Sequence, residues 1–221
     1  MRQALIGIAL ILLLPVPAAA QRYVGTSAPH RGSFELSGGA VWTGGYDAGS
    51  AIEANETTAG TAPLTLFVVD GQVKGGPGAA IQVGVYLGRR VSAEASFHYS
   101  RPVLRAHLSD DFESAADVDA EGATTSYLVG GSLLYHFGKR RFVPFVSGGG
   151  GYLRQLNEDN ADLLTSPEIH GGGGVKYWMG TKTRRFGLRL EALVSARNKS
   201  IAFEQKRRIV PSFVGGIAYL F

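Results

Sequence analysis

Apolar and polar residues alternate along much of this chain with a period of two, in blocks about ten residues long. The clearest block is 79–88, where Ala79, Ile81, Val83, Val85 and Leu87 are apolar and Ala80, Gln82, Gly84, Tyr86 and Gly88 fall between them. Successive side chains of a strand point to opposite faces, so the block predicts a strand with one apolar side. The same parsing predicts a strand at 32–43, with Phe34, Leu36, Ala40 and Trp42 opposite Ser33, Glu35 and Ser37. At 91–100, Val91, Ala93, Ala95, Phe97 and Tyr99 oppose Ser92, Glu94, Ser96, His98 and Ser100. At 125–137, Tyr127, Val129, Leu133, Tyr135 and Phe137 oppose Ser126, Leu128, Gly130, Ser132, Leu134 and His136. At 186–197, Phe186, Leu188, Leu190, Ala192, Val194 and Ala196 oppose Gly187, Arg189, Glu191, Leu193, Ser195 and Arg197. The last thirteen residues place Ile209, Phe213, Ile217, Tyr219 and Phe221 on one side.

Two further strands, 142–153 and 170–179, pass through Gly148-Gly-Gly-Gly151 and Gly171-Gly-Gly-Gly174, which blur their facing. Such runs are also what a flexible linker looks like. Here each merges into strand-type residues, Phe145-Val146 before the first and Val175-Lys-Tyr-Trp178 after the second. Glycine allows tight curvature in a small barrel and leaves room for bulky side chains opposite.

The total is eight, and the connections alternate in length. Strands two to three, four to five and six to seven are joined by short basic turns: Arg89-Arg90, Gly138-Lys-Arg-Arg141 and Gly180-Thr-Lys-Thr-Arg-Arg185. The others are long and polar. An even strand number, ten-residue spans, short periplasmic turns and long outer loops are the grammar of a membrane barrel. The fold class expected is all-β: an eight-stranded antiparallel up-and-down transmembrane β-barrel. Within 44–78, Leu64-Thr-Leu-Phe-Val-Val69 could be a buried soluble strand or an extension of the barrel above the membrane. Counting it as a span would make nine strands and invert every later loop, so the extension is favoured.

Targeting agrees with export. Arg2, an apolar run to Leu14, a Pro15/Pro17 break and Ala18-Ala-Ala20 form the layout of a cleaved secretory signal, too short to span a bilayer as a helix. The expected division is a signal at 1–20, a short periplasmic segment at 21–31 and a barrel domain at 32–221. There is no cysteine, which excludes disulfides, thiolate zinc sites and a cysteine nucleophile. The 31 glycines and 45% apolar residues fit one all-β domain. A net charge of +4 with scattered cations, behind an export signal, gives no nucleic-acid footprint.

These features resemble the small outer-membrane β-barrel proteins of the outer-membrane-protein-A-like type. The residues that carry the resemblance are the signal, Val143-Pro-Phe-Val-Ser-Gly-Gly-Gly-Gly-Tyr152, the short basic turns and the terminal Tyr219-Leu-Phe221. It implies residence in a bacterial outer membrane. It also implies that Tyr219 and Phe221 form the carboxy-terminal signal read by the barrel-assembly machinery. Larger members add a soluble peptidoglycan-binding domain; the chain ends at Phe221, so tethering by such a domain is not expected. Fold does not imply function, and the family is functionally diverse.

The inward faces carry Glu35, Glu94 and Glu191 with Lys176, Arg189 and Arg197, alongside His98, His136 and Gln82. Eight strands enclose a space just wide enough for side chains to fill, so these charges are expected to pair and plug the lumen. Exchange of partners among them would instead make a narrow gated pore. His98-Tyr-Ser100, with Glu113 beyond, resembles the His-x-Ser pair of the outer-membrane lipid A deacylases. Against that reading, the pair faces the lumen, and Arg101-Pro102 departs from the family's motif. Asp110, Asp111, Glu113, Asp117, Asp119 and Glu121, with Glu158, Asp159, Asp162 and Glu168, read as solvated loop charge or as carboxylates for calcium or magnesium bridging to lipopolysaccharide. Their spacing lacks a calcium-loop pattern, and no phosphate-binding glycine loop is present.

The expected role is structural or interactive: a non-enzymatic, monomeric barrel without metal or cofactor, in contact with outer-membrane lipid and lipopolysaccharide, presenting its outer loops. A soluble lipocalin-like barrel is the remaining alternative. It would place Val83, Val85 and Phe97 inside and Glu94 and Arg189 in water.

Overall fold

A computed structural model describes residues 29–55, 64–109, 117–138, 141–156, 162–179, 185–197 and 207–221. The expected signal and most of the 21–31 segment lie outside these. The described residues form twelve strands: β1 (Phe34–Thr43), β2 (Tyr46–Asn55), β3 (Leu64–Lys74), β4 (Gly76–Tyr86), β5 (Val91–Ser100), β6 (Val103–Ser109), β7 (Val118–Ala123), β8 (Thr125–His136), β9 (Phe142–Leu156), β10 (Asp162–Trp178), β11 (Phe186–Arg197) and β12 (Arg208–Leu220).

Eight of them close into an antiparallel barrel in the order β1-β12-β11-β10-β9-β8-β5-β4. The seam closes on β1, which pairs Phe34 with Val85 of β4 and Glu35 with Leu220 of β12. Closure leaves no unpaired edge, as a strand in hydrocarbon requires. The terminal strand therefore completes the barrel, and the Phe221 amide donates to the Phe34 carbonyl at 2.8 Å.

The outer surface is apolar and the interior polar, as the alternation predicts. Leu190 is 61% exposed, while the adjacent Arg189 is 1% exposed. Val83 and Phe97 point outward and Glu94 lies inside the wall, so the lipocalin-like facing is overturned. On β11 the outward stripe runs from Phe186 to Ala196. At about 3.3 Å per residue and a tilt near 40°, that stripe stands roughly 25 Å tall, the thickness of a barrel's apolar band. Rings bound it at both ends. Near the short turns, Tyr135 meets Phe137 (5.1 Å between ring centres), and Tyr219 meets Phe186 and Phe221 (4.8 and 4.6 Å). Toward the other end, Tyr99 packs on Tyr127 at 5.6 Å.

The glycine runs lie within strands. Gly148 to Gly151 of β9 face Glu168 to Gly171 of β10 on one side and Gly130 to Leu133 of β8 on the other. Close approach explains the residue choice at Gly174, where a Cβ would collide with the Leu190 carbonyl oxygen and sit 2.8 Å from Phe145 Cζ. The missing methyl gives the Phe145 ring its place in the lumen.

β2, β3, β6 and β7 form a separate four-stranded sheet beyond the barrel rim. It grows directly from the wall: β1 runs into β2 through Gly44-Gly45, and β7 into β8 through Thr124. Leu64 to Val69 belongs to β3 of this sheet, so the barrel count stays at eight. Two connections expected to be polar loops, 44–78 and 102–123, are instead largely strands. Buried Tyr46, Val73 and Val210, with Leu104 against them, join the sheet to the top of β12.

Candidate functional site

Alternation sends every second side chain of eight strands into one enclosed space, and that lumen is where the chain's buried chemistry collects. Nearest the short turns, Tyr86, Val143, Trp178, Ala218 and Leu220 form an apolar plug. His136 stacks on Tyr86 at 5.2 Å between ring centres and shares a 3.0 Å hydrogen bond with Ser92 Oγ.

Above the plug lies a continuous set of ion pairs. Lys176 Nζ is 2.6 Å from Glu35 Oε1, and Tyr86 donates its hydroxyl proton to Glu35 Oε2 at 2.9 Å. Arg189 grips Glu94 bidentately, Nη1 to Oε2 at 2.6 Å and Nη2 to Oε1 at 2.9 Å. Its Nη2 also donates to Glu191 Oε2 at 2.6 Å, and its Nη1 lies 3.8 Å from Glu35 Oε1. Ser147 caps Glu191 at 3.0 Å, and Ser37 donates to Gln82 Oε1 at 2.8 Å. Phe145 lies under both cations, 5.3 Å from Lys176 Nζ and 5.1 Å from the Arg189 guanidinium carbon. The planar guanidinium holds Glu94 through two parallel hydrogen bonds and still donates to Glu191, a fork that a lysine ammonium does not reproduce.

Glu35, Glu94, Lys176, Arg189 and Glu191 thus meet in one network. Arg197 does not join it. Its Nε donates to Glu168 Oε2 at 2.9 Å, and Ser195 donates to Glu168 Oε1 at 3.2 Å. Glu168 is 3% exposed and faces the lumen from β10, whereas the sequence pattern places it among the loop acids. That is a correction: β10 starts at Asp162, eight residues before the predicted strand, because Pro167 and the glycine run conceal its alternation. Counting back by twos from Lys176 through Gly174, Gly172 and His170 reaches Glu168, which is the signal that finds it.

Ser132, His170 and Glu168 stand in the order of a serine hydrolase triad, with Ser132 Oγ 2.7 Å from His170 Nε2 and His170 Nδ1 3.6 Å from Glu168 Oε1. The cavity beside them, which His98 and Ser195 also line, measures about 20 Å³. That volume admits about one water molecule. No acyl substrate fits. His98 and Ser100 are both buried inward, and His98 Nε2 makes no hydrogen bond. Glu113 lies outside the described residues.

The acids of the outer sheet are partly paired across strands. Glu121 forms an ion pair with Arg105. Asp119 Oδ1 lies 2.8 Å from His107 Nδ1, and Asp117 Oδ2 is 3.8 Å from His107 Nε2. The hydrogen bond to Asp119 raises the His107 pKa above the ordinary imidazole value. Asp110, Asp111, Glu113, Glu158 and Asp159 lie outside the described residues. Among the described residues no three acidic or histidine side chains converge as metal ligands.

No family model and no curated protein matches the chain. Its fold is similar to solved structures. The outer membrane protein OprG from Pseudomonas aeruginosa superposes with a TM-score of 0.56 at 11% identity, covering 88% of this chain and 98% of that one. Neisserial surface protein A superposes with a TM-score of 0.55 at 13% identity, covering 86% of this chain and all of the other (100%). The chain has the fold of the small eight-stranded outer-membrane barrels.

Proposed function

We propose that this barrel is an exported, monomeric outer-membrane protein whose lumen is closed by its own ion pairs and whose work is done on the outer face. The observation that carries the reading is the pairing of two features: a girdled apolar exterior about as tall as a bilayer core, and a lumen obstructed at successive levels by the Trp178 plug and the Arg189 network. With the lumen occupied, the part left to meet partners is the sheet of β2, β3, β6 and β7 and the segments near it. One similar structure bears the name of an outer membrane protein and another that of a surface protein, which agrees with this placement. In this reading, lipid and lipopolysaccharide contact the belt and its outer rim. Tyr219 and Phe221 serve the barrel-assembly machinery during biogenesis, and no cofactor, metal or catalytic step is involved.

The chain has no cysteine, so single cysteines report location without background. In intact cells, Val118→Cys in the outer sheet is expected to react with a membrane-impermeant maleimide. Arg89→Cys in a short turn is expected to react only after lysis, and the protein to migrate heat-modifiably from the outer-membrane fraction. Recovery in the soluble periplasm, or the opposite labelling pattern, would contradict the proposal.

A further inference from the structure

The three short turns share a composition that the lumen and the outer sheet do not. Arg89-Arg90, Lys139-Arg-Arg141 and Lys182-Thr-Arg-Arg185 hold eight basic residues and no acid. Among the described members, Arg89, Arg90, Arg141 and Arg185 are all exposed. Backbone pairing sets three of them at equivalent points around the rim. The carbonyl of Arg90 accepts from His136 N, that of Arg141 from Trp178 N and that of Arg185 from Leu220 N, at 2.7 to 2.8 Å. Each is followed at once by the first outward residue of its strand, Val91, Phe142 or Phe186. The aromatic girdle of Tyr135, Phe137, Phe186, Tyr219 and Phe221 lies directly above.

Aromatic girdles settle at the level of lipid headgroups. Arginines one step beyond the girdle are therefore held at phosphate depth, and Arg90 Nη1, 3.2 Å from the Tyr135 hydroxyl, already reaches back toward the ring layer. No carboxylate in these turns competes for the guanidinium groups. The outer sheet is different: Arg105 and His107 there are matched by Glu121 and Asp119.

We propose that this basic rim is an interaction surface for anionic glycerophospholipid headgroups of the periplasmic leaflet, such as phosphatidylglycerol. The inference rests on the outer-membrane reading above, and adds the lipid class and the leaflet. Guanidinium groups suit it because they hold phosphate bidentately, and each basic side chain near an anionic surface adds to the attraction. Phosphate-bearing lipopolysaccharide offers similar chemistry, but it belongs to the face that carries the long segments.

The mature protein, reconstituted in phosphatidylcholine vesicles with spin-labelled lipids, provides the test. Wild type is expected to select labelled phosphatidylglycerol over labelled phosphatidylcholine about threefold or more at low salt, falling toward parity at about 1 M salt. The variant R89Q/R90Q/R141Q/R185Q is expected to lose most of that selectivity, while R105Q in the outer sheet keeps it. Heat-modifiable migration of each sample separates failed insertion from failed selectivity. A normally inserted wild type without lipid preference would overturn the proposal, as would selectivity that survives the four substitutions. Stronger selection of lipopolysaccharide than of phosphatidylglycerol, lost on the same substitutions, would also overturn it by moving the rim to the other leaflet.

Discussion

The barrel wall and the sheet above it are made of the same antiparallel backbone, yet they sort residues in opposite ways. In the wall, Leu188, Leu190, Ile217 and Val129 are exposed, and Glu35, Glu94, Lys176, Arg189 and Glu191 are inside. In the outer sheet, the apolar Tyr46 and Val73 are buried and ion pairs lie in the open. Arg189 and Glu94 are 1% and 7% exposed, against 48% and 49% for Arg105 and Glu121. What changes between the regions is the solvent on the outside of the strand. Hydrocarbon makes the exterior apolar and drives charge into the lumen, where it must be paired. Water relaxes both demands.

Removing Arg189 leaves Glu94 and Glu191 buried without their partner, so Arg189→Met is expected to destabilise the refolded barrel by about 3–5 kcal/mol in urea unfolding. Arg105→Met, which removes an exposed partner, is expected to cost about 0–1 kcal/mol in the same measurement. Equal costs would show that the two pairs do not differ as their burial implies.

Charge on the outside tests the solvent directly. Leu190→Arg, near the middle of the belt, is expected to cost about 2–4 kcal/mol of barrel stability in lipid vesicles. Val118→Arg, at a site of similar exposure (57% against 61%), is expected to change stability by less than about 0.5 kcal/mol. A tolerated arginine at 190 would mean that the belt does not meet hydrocarbon.

Packing comes next. Gly174→Ala places a methyl against the Leu190 carbonyl and the Phe145 ring, and is expected to cost about 1–3 kcal/mol. Gly122→Ala in β7 meets open space and is expected to cost less.

The smallest effect is the pH response of the outer sheet. His107 has its pKa raised by Asp119, so the pairing of β6 and β7 gains stability from protonated His107. That gain is fully present below the ordinary imidazole pKa and is lost as pH rises through the raised folded value. An NMR titration should show His107 titrating above free imidazole, and Asp119→Asn should bring it back.

The same contrast explains what the sequence could disclose. Where one face meets lipid, alternation is strict, and the bounds of β11 read from it coincide with those observed, Phe186–Arg197. The facing of Glu35, Glu94, Arg189 and Glu191 followed from the same count, and with it the crowding of charge in the lumen. β7 carries Val118-Asp-Ala-Glu-Gly-Ala123, a short alternation whose apolar side offers only Val118 and Ala120, and all but the last of its residues are exposed. Its pairing with β6 depends on cross-strand partners such as Arg105 with Glu121 and His107 with Asp119, and a single chain does not announce such pairs. Glu168 was hidden for another reason: glycine erases the parity signal on the one strand that carries it.

In the proposed reading, Lys176, Arg189 and their carboxylates shut the lumen above the Trp178 plug. Planar-bilayer recording of the folded wild-type protein tests it most directly. The expected result is a flat baseline without discrete steps at moderate voltage, in samples shown to be inserted. Sustained ohmic channels from the same samples would contradict a closed lumen.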